Sequence, residues 1–302
     1  MPIEAVKMPV ILDCDTGSDD AFAIAMAIAS DQLEVLGVSA VAGNLTLDRV
    51  VKNTRRTLSF TDPAVPFAAG AAGPLQRDLI ETGRPIHMLF AGAKEERVPV
   101  DPRPAEDFLY DLIQKSEQPV TLIPLGPLTN IAKLLQKYPQ CKENILRMVL
   151  MGGAAAGGNT TEFAEFNIYV DPEAADIVFR SGVPIVMCGI EVCRDGRVSV
   201  EDAERLEALQ NEAAGYFARE MMQDFKNGES IIFDAVTVAW ILRPEIITAQ
   251  PAQVHIELRD QLRLGQTVCD FASDRPNALV AMHMQKEGFV QLILDLFAKY
   301  GG

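Results

Sequence analysis

The chain has 302 residues, 48% hydrophobic and 23% charged, a balance that supports a large buried core and argues against disorder. Lys and Arg total 27 against 42 for Asp and Glu, a net charge of -15, so nucleic-acid backbone and anionic membrane surfaces are repelled and a neutral small molecule or a cation is the expected partner. The five scattered cysteines contain no CxxC pair and fit neither a disulfide framework nor a zinc site.

The start, "MPIEAVKMPVILDCD", carries no signal-peptide pattern, and no apolar run is long enough to span a bilayer; the expectation is a cytoplasmic protein. Along the chain, short apolar runs alternate with helical periodicity: "VILDCD" then "DDAFAIAMAIAS", "EVLGVSAVAG" then "TLDRVVKNTRRTLSF", "VTLIPLG" then "PLTNIAKLLQKYP", and "RMVLMGG" followed after a loop by "DPEAADIVFRSG". That order predicts an α/β fold with a mostly parallel sheet flanked by helices. "VPIVMCGI" adds a buried strand. From Val200 the pattern turns helical through "VSVEDAERLEALQNEAAGYFAREMMQDF" and "FDAVTVAWIL", late strands such as "AQVHIEL" follow, and "EGFVQLILDLFAKY" closes the chain as one of several additional C-terminal helices. No linker, repeat or low-complexity tract divides it, so residues 1–302 read as a single domain. Two stretches, Arg77 to Glu106 and "GGAAAGGNTTE", read as long loops of the kind that bind ligands.

In such a sheet ligands bind beyond the carboxyl ends of the strands, and polar residues gather there. "VILDCDTGSDD" sets four carboxylates, Asp13, Asp15, Asp19 and Asp20, at the end of the first strand. Helix capping would occupy one or two of them. Four repel one another unless a cation neutralises them, and a hard divalent ion with oxygen ligands does that best. A calcium EF-hand loop is excluded, because counting from Asp13 puts Ser18 and Ile24 where Gly and Glu are needed. A haloacid dehalogenase-like phosphatase also opens with a strand and D-x-D, but that pattern gives Asp19 and Asp20 no role; it stands as the weaker enzyme alternative.

"DCDTGSDDAFAI" resembles the signature of the inosine/uridine-preferring nucleoside hydrolases, and the resemblance continues in order through "VAGNLT", "LGPLTNIA", "VLMGG", "GNTTEFAEFNIYVDPEAADIVF" and "LGQTVCDF", nearly the whole chain. It implies a nucleoside hydrolase-like fold and calcium-dependent hydrolysis of the N-glycosidic bond of ribonucleosides to ribose and free base. It further implies a role in purine or pyrimidine salvage and a homo-oligomer, dimer or tetramer. Carried over residue by residue, it assigns calcium to Asp15, Asp20, Asp234 and the main-chain carbonyl of Leu125, where relatives often have Thr. Asp15 becomes the general base. Asp19, Asn44, Asn159, Glu165 and Asn167 become ribose partners, and Met151 a wall beneath the sugar. Each also has a plainer use: Asn44 and Asn159 could serve turns, Glu165 could be a solvated loop acid, and Met151 could be core.

The chain departs from the family where the base would leave. Pyrimidine-accepting members commonly place His before the last metal Asp, purine-preferring ones an aromatic Trp, and this chain has Phe233. Of three histidines, His87 lies near the bound nucleoside by resemblance, but Met88 replaces a Gly beside it; His255 and His283 read as strand residues. Glu191 and Cys193 stand where relatives usually show Asp and Thr. Phe233 therefore predicts stacking on the base and a purine preference. Loss of the leaving-group His also leaves a second class open, a metal-dependent ribose- or nucleoside-binding protein with little catalysis.

Overall fold

In the computed structural model, residues 6–80, 97–226, 228 and 230–301 are described. The chain runs β1 (Met8–Cys14), α1 (Ser18–Ala29), β2 (Leu33–Ala40), α2 (Leu47–Thr61), β3 (Phe67–Ala69), α3 (Ala105–Lys115), β4 (Val120–Pro124), α4 (Thr129–Lys137), β5 (Ile145–Met151), α5 (Phe166–Val170) and α6 (Pro172–Phe179). It continues through β6 (Ile185–Cys188), α7 (Ile190–Asp195), β7 (Arg197–Val198), α8 (Val200–Glu207), α9 (Glu212–Lys226), β8 (Ser230–Ile231), α10 (Ala235–Leu242), β9 (Ile247–Ile256), β10 (Thr267–Asp270), β11 (Ala278–Met284) and α11 (Lys286–Phe297).

Nine strands form one sheet in the order β10-β9-β11-β6-β5-β4-β1-β2-β3. From β11 to β3 the neighbours are parallel; only β9 runs against its partners β10 and β11. β1 shows why. Six of its seven residues are buried, which suits a parallel strand covered on both faces. Val10, Leu12 and Cys14 join the apolar layer under α1, α9, α10 and α11, whereas Ile11 joins the layer under α3, α4 and α6, as a period of two requires. After β1 the chain builds outward to β2 and β3, then returns to lay β4 on the other side. This reversal opens a crevice at the carboxyl ends of β1 and β4.

α1 is not a surface helix. Eight of its 12 residues are buried, so its Ala- and Ile-rich sequence serves packing on more than one side. Phe22 of α1 meets Phe217 of α9 with ring centroids 4.7 Å apart and Phe297 of α11 at 4.9 Å, and Phe217 and Phe297 stand 5.2 Å apart. These distances are those of favourable tilted and edge-on aromatic pairs. The last helix therefore braces the first.

The long helical stretch expected from Val200 is two helices. Ser199 and Asp202 cap α8 reciprocally, and the chain turns at Gln210, whose φ is 56°. Asn211 Oδ1 then accepts from the N–H of Ala214 to start α9. Competition from such side-chain caps ends a periodic run that apolar spacing alone would continue. Among the described residues no helix is long and apolar enough to cross a membrane.

Removing the Phe297 ring, which is fully buried, is expected to cost about 3–5 kcal/mol. Urea unfolding of Phe297→Ala against the parent chain checks this; a loss below about 1 kcal/mol would mean that α11 is not a structural brace.

Candidate active site

The turn after β1 aims the acids. Asp15 N–H donates to Asp20 Oδ1 at 3.2 Å, and Gly17 N–H donates to Asp20 Oδ2 at 2.8 Å. Asp20 thus caps α1 while lying in the acidic cluster; capping and cation binding are compatible uses of one side chain. The turn is held from behind by α2. Asn53 Nδ2 donates to the Thr16 carbonyl at 3.0 Å, and the Thr16 and Thr54 hydroxyls lie 2.6 Å apart. All three residues are buried.

Asp15 is 1% exposed and fits between two glycines. A Cβ at Gly126 would lie 2.8 Å from Asp15 Oδ1, and one at Gly43 would collide with its other oxygen. The carboxylate accepts from the backbone N–H of Asn44 at 2.6 Å. Asp20 and Asp234 are 1% and 3% exposed, Asp19 is half-buried, and carboxylate oxygens of Asp19, Asp20 and Asp234 lie within 4.8 Å of one another. Asp15, assigned to calcium by resemblance, is outside that closest group.

On the β4 and β5 side, Asn167 Nδ2 donates to the Leu125 carbonyl at 2.7 Å and to the Met151 carbonyl at 3.1 Å. Glu165 is 2% exposed and is no solvated loop acid. Its Oε2 accepts from the N–H groups of Gly153 and Ile168, at 3.0 and 3.2 Å, and its Oε1 from Asn167 N–H at 2.9 Å. It caps α5 and fixes Asn167. Met151 is buried at the end of β5. Asn159 lies on an exposed loop, where its Oδ1 accepts from the N–H of Phe166, the residue after Glu165, at 2.9 Å. Phe233 is half-buried, packs against the core and directly precedes Asp234. His87 lies outside the described residues, while His255 and His283 are exposed on β9 and β11.

Burial of like charge shifts the acids in one direction. Asp15 is pushed up to about 7 by burial, opposed by the Asn44 N–H and reinforced by Asp19. Burial raises Asp20 well above the carboxylate range, with Asp15 and Asp19 adding to it. Burial does the same to Asp234, where Asp19 is the largest neighbouring charge and Asp20 and Asp15 follow. Burial also raises Glu165, against its backbone donors. A dry set of oxygen donors that burial, with mutual repulsion added, keeps protonated fits a hard divalent cation, which would replace those protons. Asp20, Asp234, Asp19, Asp15 and the Leu125 carbonyl could hold it.

Two residues given no site role in the sequence reading matter behind the site. Asp13, 1% exposed, accepts from the Ser39 hydroxyl at 2.5 Å and from Asn130 Nδ2 at 2.8 Å. Asn130 also donates to the Ala40 carbonyl and accepts from Ala71 N–H, tying β1, β2 and α4 together. Burial pushes Asp13 up to about 7, against the Asn130 and Ser39 hydrogen bonds. The signal was present: "PLTNIA" places a lone amide in an otherwise apolar helix start.

An oxygen-lined crevice at the switch point of a parallel sheet is the layout of an α/β enzyme. The chain belongs to the inosine-uridine preferring nucleoside hydrolase family, whose sequence model matches residues 10–291, and it is an enzyme of that class. A pyrimidine-specific ribonucleoside hydrolase, RihA, of Shewanella oneidensis is 43% identical over 97% of this chain and 96% of its own length. Among solved structures, a purine-preferring ribonucleoside hydrolase from Gardnerella vaginalis superposes with a TM-score of 0.81 at 27% identity, covering 96% of this chain and 99% of the other. An inosine-guanosine nucleoside hydrolase does so with a TM-score of 0.85 at 25% identity, covering 96% and 98%. Family and fold set aside the phosphatase reading.

Metal-free protein is expected to lose stability as pH rises. Asp15 and Asp13 have folded values of about 7 against ordinary values of 3.8, so folding takes up protons between those limits. The stability this contributes is full below the unfolded value and is lost as pH rises through the folded one. The melting temperature in chelator should fall from about pH 5 to about pH 8, and calcium should restore most at the upper end. A flat profile in chelator would contradict the clustered, dry carboxylates.

Proposed function

We propose that the chain is a calcium-dependent N-ribohydrolase that releases free base from ribonucleosides, the reading best supported by the buried, oxygen-only carboxylate cluster at the end of β1. When bound, calcium would neutralise the carboxylates and lower the proton affinity of a nearby water. Asp15 is the group to accept that water's proton, because it lies among the other acids at the end of β1 with its orientation fixed by two glycines and one backbone N–H. Asp19, Asn44, Asn159, Asn167 and Glu165 would orient the ribose hydroxyls and surround the electron-poor sugar as the bond to the base breaks. Met151 would form the floor.

The leaving base needs a proton or must depart as an anion. Phe233 supplies no proton, and an aromatic contact adds only about 0.5–1.5 kcal/mol, whereas a positioned acid contributes about 10²- to 10⁴-fold in rate. A purine can take a proton from water at N7, so we assign purine nucleosides as the faster substrates, with Phe233 stacked on the base. A second reading, pyrimidine preference, is favoured by the name of the curated RihA relative. Cytoplasmic action as a homo-oligomer in nucleoside salvage belongs to the same proposal.

The test is release of reducing sugar from inosine, guanosine, uridine and cytidine with and without chelator. Activity abolished by chelation and restored by calcium is expected; undiminished activity in chelator would remove calcium from the reaction. kcat/KM for inosine above that for uridine supports the Phe233 argument, and the reverse order establishes the pyrimidine reading. Asp15→Asn should lower kcat by about 10²- to 10⁴-fold with ribose still bound. Near-normal turnover would reassign the base.

A further inference from the structure

Hydrogen bonds tie α7 both to the loop after β5 and to the turn that carries Phe233 and Asp234. Ile190 N–H donates to the Gly153 carbonyl at 3.0 Å, and Glu191 Oε1 accepts from the N–H groups of Ala155 and Ala156, each at 2.9 Å. Further along, the Cys193 thiol lies 3.6 Å from the carbonyls of Phe233 and Cys188, and the Gly196 carbonyl accepts from Ile232 N–H at 3.4 Å. The helix is itself fixed, because Ile190, Val192 and Cys193 are buried and Asp195 Oδ2 accepts from Met284 N–H of β11 at 2.9 Å. Resting on the reading that ribonucleosides are cleaved with Phe233 beside the base, we propose that Glu191 and Cys193 are positioning residues for the hydrolysis: Glu191 sets the sugar side through the loop after β5, and Cys193 sets the base side through the Phe233 carbonyl.

From Gly153 to Ala156 every backbone N–H donates to a side chain: Gly153 to Glu165, Ala154 to Thr267 Oγ1 at 2.8 Å, and Ala155 and Ala156 to Glu191. No N–H in that stretch joins a backbone ladder, so these side chains decide where it lies. Gly153 and Asn167 donate to the same Glu165 carboxylate, and a Cβ at Gly153 would come within 2.8 Å of Met187 Sδ. A displacement at Glu191 is therefore passed to Glu165 and Asn167. Glu191 gains little stability from its place, since its Oε2 is buried with no hydrogen-bond partner among the described residues, a costly state for an oxygen. Geometry is what its carboxylate supplies. Cys193 works differently, because a thiol is a weak donor at longer range than a hydroxyl. A Ser hydroxyl there would need its acceptor at about 2.8 Å, so the Phe233 carbonyl would move toward α7 or lose the contact, and the ring would move with it while the sugar side stays in place.

Steady-state hydrolysis of inosine and uridine in calcium, by the parent protein, Glu191→Gln, Glu191→Asp and Cys193→Ser, with melting curves of each, tests this division. Glu191→Gln keeps one acceptor oxygen and Glu191→Asp keeps the charge with a shorter reach; each should lower kcat/KM about tenfold for both nucleosides alike, with KM raised. Cys193→Ser should change the inosine-to-uridine ratio of kcat/KM about threefold or more. A merely structural loss lowers kcat with the folded fraction and leaves KM and the ratio where they were. Parental KM and parental ratio in folded variants would overturn the proposal, as would a ratio shifted by the Glu191 variants and not by Cys193→Ser. A parent protein that releases ribose from neither nucleoside would overturn the underlying reading and the proposal with it.

Discussion

Four carboxylates, Asp13, Asp15, Asp19 and Asp20, share one end of a parallel sheet, and most of the surrounding structure answers that charge. A buried carboxylate without a partner takes up a proton or recruits a cation. Here backbone N–H groups do part of the work: Asn44 for Asp15, Asp15 and Gly17 for Asp20. Hydrogen bonds orient these groups without removing their charge. A cation bound among them would therefore be a structural component as much as a chemical one.

Rigidity is supplied from a distance. Asn53 and Thr54 on α2 hold the turn that carries Asp15 and Asp20, Asn130 on α4 locks Asp13 against β2, and Glu165 fixes Asn167 against Leu125 and Met151. α1, whose first turn holds Asp19 and Asp20, is packed at its aromatic side by α9 and α11. Site geometry and core packing are thus one mechanical unit, consistent with catalytic groups being held by locked neighbours rather than by loop stiffness.

Much of this was legible in the sequence, because β1 and α1 are long, strongly patterned and separated by a dense polar motif. The alternation of strands and helices, the acids at the strand end and the polar residues after β5 all followed from apolar periodicity and from the family resemblance. What was not legible has physical causes. Glu165 sits among polar loop residues and reads as solvated, but its two oxygens accept from three backbone N–H groups and are dry. Asn53 lies on a helix where an amide looks like surface, and only the three-dimensional return of that helix reveals its partner. The break between α8 and α9 depends on one cap and one left-handed residue, a local competition that hydrophobic spacing does not register.

The two walls of the crevice differ in kind. One is main chain and glycine: Gly43 and Gly126 leave no room for a Cβ beside Asp15, and a Cβ at Gly153 would come within 2.8 Å of Met187 Sδ. The other is made of side chains, with half-buried Phe233 directly before Asp234. Variation can therefore enter on one side only. Substitution around half-buried Phe233 is open to drift, whereas any side chain at Gly43 or Gly126 would push on Asp15, so the backbone seating that carboxylate should change far more slowly than the surface beside Asp234.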